Sequence, residues 1–271
     1  MKFVLNYSPQ AADLLQSGTI DIDRFKCPPW PDMIAAASAY RPVYIHFDLK
    51  AGPGLNGSVD WDTLAALRTQ TNTPYVNLHL APKPEHFIGM PITTTDPAHI
   101  AAVTGRMIED VEQAVERFGA DRVIVENVPY DPGTDFRVVR PAALPEVIRR
   151  VVEETGAGFL LDISHARISA RSLGMDEYAY LEQMPCERLC ELHMTGLGYN
   201  RQGHLTDHLP ITEQDWPFLE WVLARIRSGL WAHPWALAFE YGGIGPIFEW
   251  RSESSVIAAQ VPRLYALAHS V

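Results

Sequence analysis

Six apolar runs of this chain finish on a residue that can bind a cation. His46 stands in YIHF, His79 in VNLHL, Glu126 in VIVEN, Asp162 in FLLDI, His193 in CELHM and Glu240 in LAFEY. A single histidine at the end of an apolar strand is usually a hydrogen-bonded structural residue. Three carboxylates in the same setting are harder to dismiss, because an unpaired buried carboxylate is costly. No Lys or Arg precedes them within their runs. Metal ions shared with imidazoles relieve that cost directly. His165 follows in Asp162-Ile-Ser-His, and the stretch YNRQGHLTDHLPI offers His204, Asp207 and His208. Asp207 and His208 are adjacent, so both reach one site only if a turn aims them inward; these two are preferred over His204. His86, His99, His233 and His269 fall in loops or helices and read as solvated or structural.

The expected ligand set is thus His46, His79, Glu126, Asp162, His165, His193, Asp207, His208 and Glu240, with Glu126, Glu240 and His165 as the expected catalytic groups. Its donors are nitrogen and oxygen only, which suits Fe, Zn or Mn and disfavours Cu(I) or an iron–sulfur cluster. Nine ligands exceed the needs of one ion. With Glu126 or Glu240 bridging, two or three divalent ions fit, able to acidify a bound water or to hold a substrate anion.

These residues must be brought together by their elements. Strands are expected over 2–7, 19–25, 42–47, 74–80, 121–127, 156–163, 188–194 and 235–241, several of them near-continuous apolar runs, as in parallel strands covered on both faces. Helices are expected over 60–70, 96–118 (stopped by Gly119), 141–155 (opening with proline, closing before Gly156), 212–228 and 252–269. Strand–helix alternation over 271 residues predicts a single-domain (β/α)₈ barrel spanning 1–271. In such a barrel the C-terminal strand ends converge on one mouth, where the six residues would meet. No GxGxxG or GxxxxGK[ST] opens a helix, which removes the main nucleotide-binding signature. Two long loops, 50–59 with its AGPGLNG and 195–209, follow strands; the first could act as a lid.

Composition narrows the function classes. Net charge is −11, from 33 acidic against 22 basic residues, which argues against a general nucleic-acid binder. Hydrophobic residues make up 47% and charged residues 20%, an ordinary globular balance. Cys27, Cys186 and Cys190 are odd in number and form no CxxC, so free thiols in a reducing compartment are expected; Cys186 and Cys190 could share a helical face. MKFVLNYSPQ is too short and polar for a signal peptide, and no run reaches the ~20 apolar residues of a membrane span. A cytoplasmic protein is expected, with no membrane partner.

In the order of its candidate ligands the chain resembles the xylose-isomerase-like barrels, which include endonuclease IV and many sugar isomerases and epimerases. A closer likeness is to the methanobactin-biosynthesis oxidase family (MbnB/TglH/ChrH-like), carried by Glu126-Asn127-Val128-Pro129-Tyr130, Leu160-Leu161-Asp162, His193-Met194-Thr195-Gly196, the Asp207-His208-Leu209-Pro210-Ile211 stretch and Glu240 after an apolar strand. His165 stands where that family usually carries Asn. The resemblance implies an iron oxidase or oxygenase that remodels cysteine residues of a ribosomal peptide, helped by a small partner protein that presents the peptide. Under it, His46, His79, Glu126, Asp162, His193 and Glu240 would hold a redox pair, and His165, Asp207 and His208 a third ion. Three other readings compete. A sugar isomerase or epimerase would use Glu126, Asp162, His193 and Glu240 around one ion, leave the other histidines unexplained, and could use Lys50 or Lys83 on a substrate anion. The others are a phosphodiesterase of endonuclease type and a non-catalytic metal carrier.

Overall fold

The computed structural model describes residues 1–55, 57, 59–134, 136–244 and 251–271. Among them, nine strands form one parallel sheet: β1 Lys2–Asn6, β2 Arg24–Cys27, β3 Val43–Ile45, β4 Leu49–Ala51, β5 Val76–Leu80, β6 Val123–Glu126, β7 Gly158–Asp162, β8 Leu189–Met194 and β11 Ala236–Phe239. The remaining pair, β9 Gly196–Tyr199 and β10 Leu205–Leu209, makes an antiparallel hairpin. The helices are α1 Pro9–Gln16, α2 Pro31–Ser38, α3 Trp61–Gln70, α4 Pro97–Phe118, α5 Pro145–Thr155, α6 Ile163–Leu173, α7 Glu177–Glu182, α8 Trp216–Arg227 and α9 Ser254–His269.

Sheet order is β3-β2-β1-β11-β8-β7-β6-β5-β4. Its two edge strands, β3 and β4, are separated in the chain only by residues 46–48. Edges joined by so short a link cannot lie far apart, so the sheet curls until they meet. β3 and β4 are then one broken strand, and the nine make the eight of a (β/α)₈ barrel. The break is clamped by Asn77 of β5, whose side-chain oxygen accepts from Phe47 N at 2.7 Å and whose amide donates to Phe47 O at 3.0 Å. Apolar side chains pack between the barrel and its helices, including Phe3, Phe25, Leu78, Val111, Ile148 and Leu223. A smaller cluster of Val4, Tyr44, Ala236 and Ala238 fills the barrel interior, beneath the polar mouth.

Three expected boundaries move by more than two residues, each for a local reason. The strand expected over 19–25 starts only at Arg24 and runs to Cys27. Ile20 and Ile22 are buried, but Asp21 accepts from Ile22 N and Asp23 from Phe3 N at 2.7 Å, so this alternation belongs to a turn. The helix expected from 141 starts at Pro145; Leu144, preceding proline, is held extended (φ −78°, ψ 125°), and Arg140–Ala143 form a separate 3₁₀ turn. The helix expected from 212 starts at Trp216, because the Asp215 carboxylate takes Thr212 N and Oγ1 at 2.8 and 2.7 Å. Short helices α1, α2, α6 and α7 carry no matching expectation. Cys186 and Cys190 do not share a helical face: Cys186 opens a 3₁₀ turn and Cys190 lies on β8. All three thiols are free.

The glycine-rich segment that follows β4 is tied down rather than free to hinge. Asp110, buried on α4, accepts from Gly52 N, Gly54 N and Leu55 N at 2.7, 3.0 and 2.9 Å; residues 56 and 58 of this expected lid lie outside the described residues. Three charge-assisted bonds to backbone donors are worth several kcal/mol together. Asp110→Ala is expected to lower unfolding free energy in urea by about 2–4 kcal/mol and to speed amide exchange at Gly52, Gly54 and Leu55. Unchanged exchange there would mean that the loop is held by something else.

Candidate metal centre

Strand register brings the candidate ligands together in pairs. His79 on β5 lies beside Glu126 on β6, and Asp162 on β7 beside His193 on β8. His46 sits in the break between β3 and β4, and Glu240 directly follows β11. Glu126, Asp162 and His193 are at most 1% exposed. Four triplets of donor atoms lie close enough to share an ion: His46–His79–Glu126, Glu126–Asp162–His165, Asp162–His193–Glu240 and His46–Glu191–His193.

The first triplet has the dimensions of a coordination site. His46 Nε2 and His79 Nε2 are 3.2 Å apart, and each lies 3.4 and 3.3 Å from Glu126 Oε2. A tetrahedral ion with ~2.0–2.1 Å bonds has ligand–ligand edges of ~3.3–3.4 Å. Glu126 Oε2 is buried and has no hydrogen-bond partner, an arrangement that calls for a cation. The other oxygen, Oε1, lies 3.8 Å from His193 Nδ1 and 3.6 Å from His165 Nδ1, the latter nitrogen being taken up by the Asn127 carbonyl. Glu126 therefore turns its two oxygens toward two different groups of ligands, as a bridging carboxylate must.

The imidazoles are oriented from behind. His79, His165 and His208 use Nδ1 on the carbonyls of Leu49, Asn127 and Glu240, at 3.1, 2.9 and 2.9 Å. Each then presents Nε2 to the mouth, the arrangement that metal-ligating histidines adopt. His193 is reversed: Nε2 donates to Glu191 at 2.8 Å, leaving Nδ1 directed at Glu240 Oε1, 3.2 Å away. Glu191 also accepts from Tyr44 Oη and Trp235 Nε1 at 2.8 and 2.9 Å. With these donors already bound, it orients His193 rather than serving the fourth triplet.

A different device sets the third group. Asp207 Oδ2 lies 2.9 Å from His165 Nε2 and 3.8 Å from His208 Nε2. Adjacent strand residues normally point to opposite faces. Here the register of β10 shifts between Thr206 and Leu209, and His208 adopts left-handed backbone (φ 58°), so the bulge turns both neighbours inward. His204 stays outside, 3.3 Å from Asp131 at the rim. His86 and His99 bond locally to Lys83 N and Thr94 Oγ1, and His269 pairs with Asp23.

Sequence reasoning missed four contributors. Lys26, buried at the mouth end of β2, contacts Glu240 Oε1 and lies 3.4 Å from both ring nitrogens of His193. Asn77, Asn127 and Glu191 position the rest. Asn127 pairs with both Asp162 N and Asp162 O at 2.9 Å, as Asn77 does with Phe47. A usable signal existed for two of them: Asn77/His79 and Glu191/His193 are two apart on a strand and so share a face. Lys26 was hidden by the misplaced second strand.

Protonation follows from burial and neighbours. Burial, reinforced by Lys26 and the other imidazoles, pushes His46 well below the usual histidine range. Burial likewise lowers His208 to about 4 against the pull of Asp207; both rings are therefore neutral and their nitrogens available near neutrality. Burial lowers Lys26 to about 8 although Glu126, Glu191 and Asp162 oppose it. Burial would raise Glu126, but His79, His193, His165 and Lys26 hold it below its usual value. His165 moves the other way: burial opposes its charge, yet Asp162, Asp207 and Glu126 lift it to about 10.

A parallel (β/α)₈ barrel with clustered imidazoles and carboxylates at its mouth, able to bind metal, is the class defined by this fold and site. Its fold is shared with a xylose isomerase domain-containing protein of Salmonella typhimurium LT2 (TM-score 0.60, 13% identity, 99% of this chain and 97% of that one). It is also shared with endonuclease IV of Thermus thermophilus (TM-score 0.52, 16% identity, 100% of both chains). The chain belongs to the RiPP precursor modification enzyme family MbnB/TglH/ChrH, whose profile matches residues 58–231. A UPF0276 protein of Caulobacter sp. (strain K31) is 30% identical over 173 residues, 61% of this chain. The chain spans 60% of that relative's length. Among the described residues no helix is long and apolar enough to cross a membrane.

A titration tests the third group in metal-free protein. His165 titrates at about 10 when folded against ~6.5 in an unstructured chain. Its contribution to stability is therefore complete below about pH 6.5 and is lost as pH rises through about 10. Between those limits the wild-type melting temperature is expected to fall more steeply than that of Asp207→Asn, which lacks the carboxylate beside His165. Parallel profiles would show that His165 is not charged in the folded protein.

Proposed function

We propose that this chain is a multinuclear, iron-dependent oxidase or oxygenase that acts on a cysteine-bearing peptide at the barrel mouth, the peptide being presented by a small partner protein. One observation carries the reading: Glu126 is buried between two sets of donors, with Oε2 in the His46–His79 triangle and Oε1 on the side of His193. A single-ion centre built from Glu126, Asp162, His193 and Glu240, as a sugar isomerase would use, leaves that triangle without a purpose.

Bound iron would supply Lewis acidity and electron transfer with dioxygen as oxidant. The chain's own residues supply the setting. His79, His165 and His208 are fixed by backbone carbonyls, so their Nε2 atoms stay aimed at the mouth. His165 holds a proton on Nδ1 against Asn127 O and sets Nε2 against Asp207, a place where a proton can be held or passed on beside substrate. Two cavities of about 640 and 420 Å³ open on the centre and share Asp48, His79, His165 and His208 in their walls. Space on both sides suits an extended substrate that crosses the centre better than a compact sugar. The nuclease alternative draws no support from the acidic charge balance.

Protein isolated without added metal is expected to carry at least two ions per chain by mass spectrometry, with iron prominent, and Glu126→Gln is expected to lose most of them. After anaerobic iron loading, admitting oxygen should give uptake that depends on a cysteine-containing peptide. One ion per chain, or oxygen uptake indifferent to the peptide thiol, would contradict the proposal.

A further inference from the structure

We infer that Lys26 is a built-in counter-ion that makes the Asp162–His193–Glu240 position the weaker metal position, so that the centre fills in order, His46–His79–Glu126 first. This rests on the metal-dependent reading above and adds what that reading lacks, a difference between its two positions.

The two triplets differ in what already neutralises them. Around His46, His79 and Glu126, the Oε2 atom of Glu126 has no hydrogen-bond donor, and an entering ion displaces no ammonium there. At the other position the Lys26 side chain, 5% exposed, occupies the ground beside Glu240 Oε1 and pairs with it. Its Nζ is equidistant, at 3.4 Å, from both nitrogens of His193, the ring whose Nδ1 points at Glu240. An ion bound between that Nδ1 and Oε1 comes within a few ångströms of the ammonium, and like charges at such a distance in a buried site repel strongly. Glu191 is the poorer partner for Lys26, because its oxygens already accept from Tyr44, Trp235 and His193. Arg251 lines the same cavity and adds positive charge on that side. An ion that takes Glu240 Oε1 at this position has to displace Lys26 from it.

Calorimetric titration of metal-free protein with Zn²⁺ alone reads the difference. Wild type is expected to show a tight class and a second class at least tenfold weaker, with His79→Gln abolishing the tight one. Lys26→Met and Lys26→Gln, both neutral, should tighten the second class at least tenfold and the first by clearly less, because the Lys26 charge is also felt at Glu126 and His46 without being paired to either. Lys26→Arg, which keeps the charge, should preserve the wild-type separation. Without metal, Lys26→Met should melt lower than wild type and regain more on adding Zn²⁺, because Glu240 is left without its partner. Lys26→Gln guards against a failure of Lys26→Met to fold. An unchanged second class in folded Lys26→Gln, or a gain confined to the first class, would overturn the inference while leaving the metal reading intact. No Zn²⁺ bound by any of these proteins would overturn both.

Discussion

Five carboxylates, those of Glu126, Asp162, Glu191, Asp207 and Glu240, are gathered into one barrel mouth, four of them buried, and the cost of burying negative charge governs what surrounds them. Glu191 is answered by a phenol, an indole and an imidazole. Asp207 is answered by His165 and Glu240 by Lys26. Asp162 accepts the backbone N–H of His165 at 2.8 Å as the cap of α6. Glu126 is left with one oxygen facing two imidazole nitrogens and no donor. The protein's own cations and donors satisfy four of the five and stop short of the last. The structure is thus organised to receive positive charge at a defined point.

The barrel supplies the geometry with simple means. Parallel register sets His79 beside Glu126 and Asp162 beside His193. Two asparagines act as extra peptide groups, Asn77 across the break in the third strand and Asn127 between β6 and β7. One left-handed residue, His208, lets two neighbours share a site. The buried Arg167, bonded at 2.6 Å to Glu177 and to Asp215, ties α6 to α7 and to the turn before α8, which steadies the helix that carries His165. Positions of the donor atoms therefore follow from backbone and packing, which is how a site able to bind metal is kept in order.

Much of this is legible in the amino-acid sequence. Continuous apolar runs betray parallel strands, and a His, Glu or Asp at the end of each is where a barrel gathers function. His46, His79, Glu126, Asp162, His165, His193, Asp207, His208 and Glu240 do converge, and His204 does not. What escaped depended on details that periodicity does not encode. Ile20 and Ile22 alternate like a strand, but the aspartates between and after them take backbone N–H groups and form a turn. That shift of a few residues concealed the only lysine in direct contact with the cluster among the described residues. The hairpin of β9 and β10 reads as loop because Gly196 and Gly198 lack strand character; a Cβ on Gly196 would lie 1.8 Å from Pro210 O, so only glycine lets the two strands close. Short helices such as α7, six residues long, are too brief for a helical period to show.

The central claim is that Glu126 joins two ions at the barrel mouth, and anomalous diffraction from crystals soaked in Mn²⁺, recorded at the manganese edge, addresses it most directly. Two peaks are predicted, one within bonding distance of His46 Nε2, His79 Nε2 and Glu126 Oε2, the other beyond Glu126 Oε1 among Asp162, His193 and Glu240. A lone peak on one side of Glu126, or peaks only at surface histidines such as His86 or His99, would contradict it.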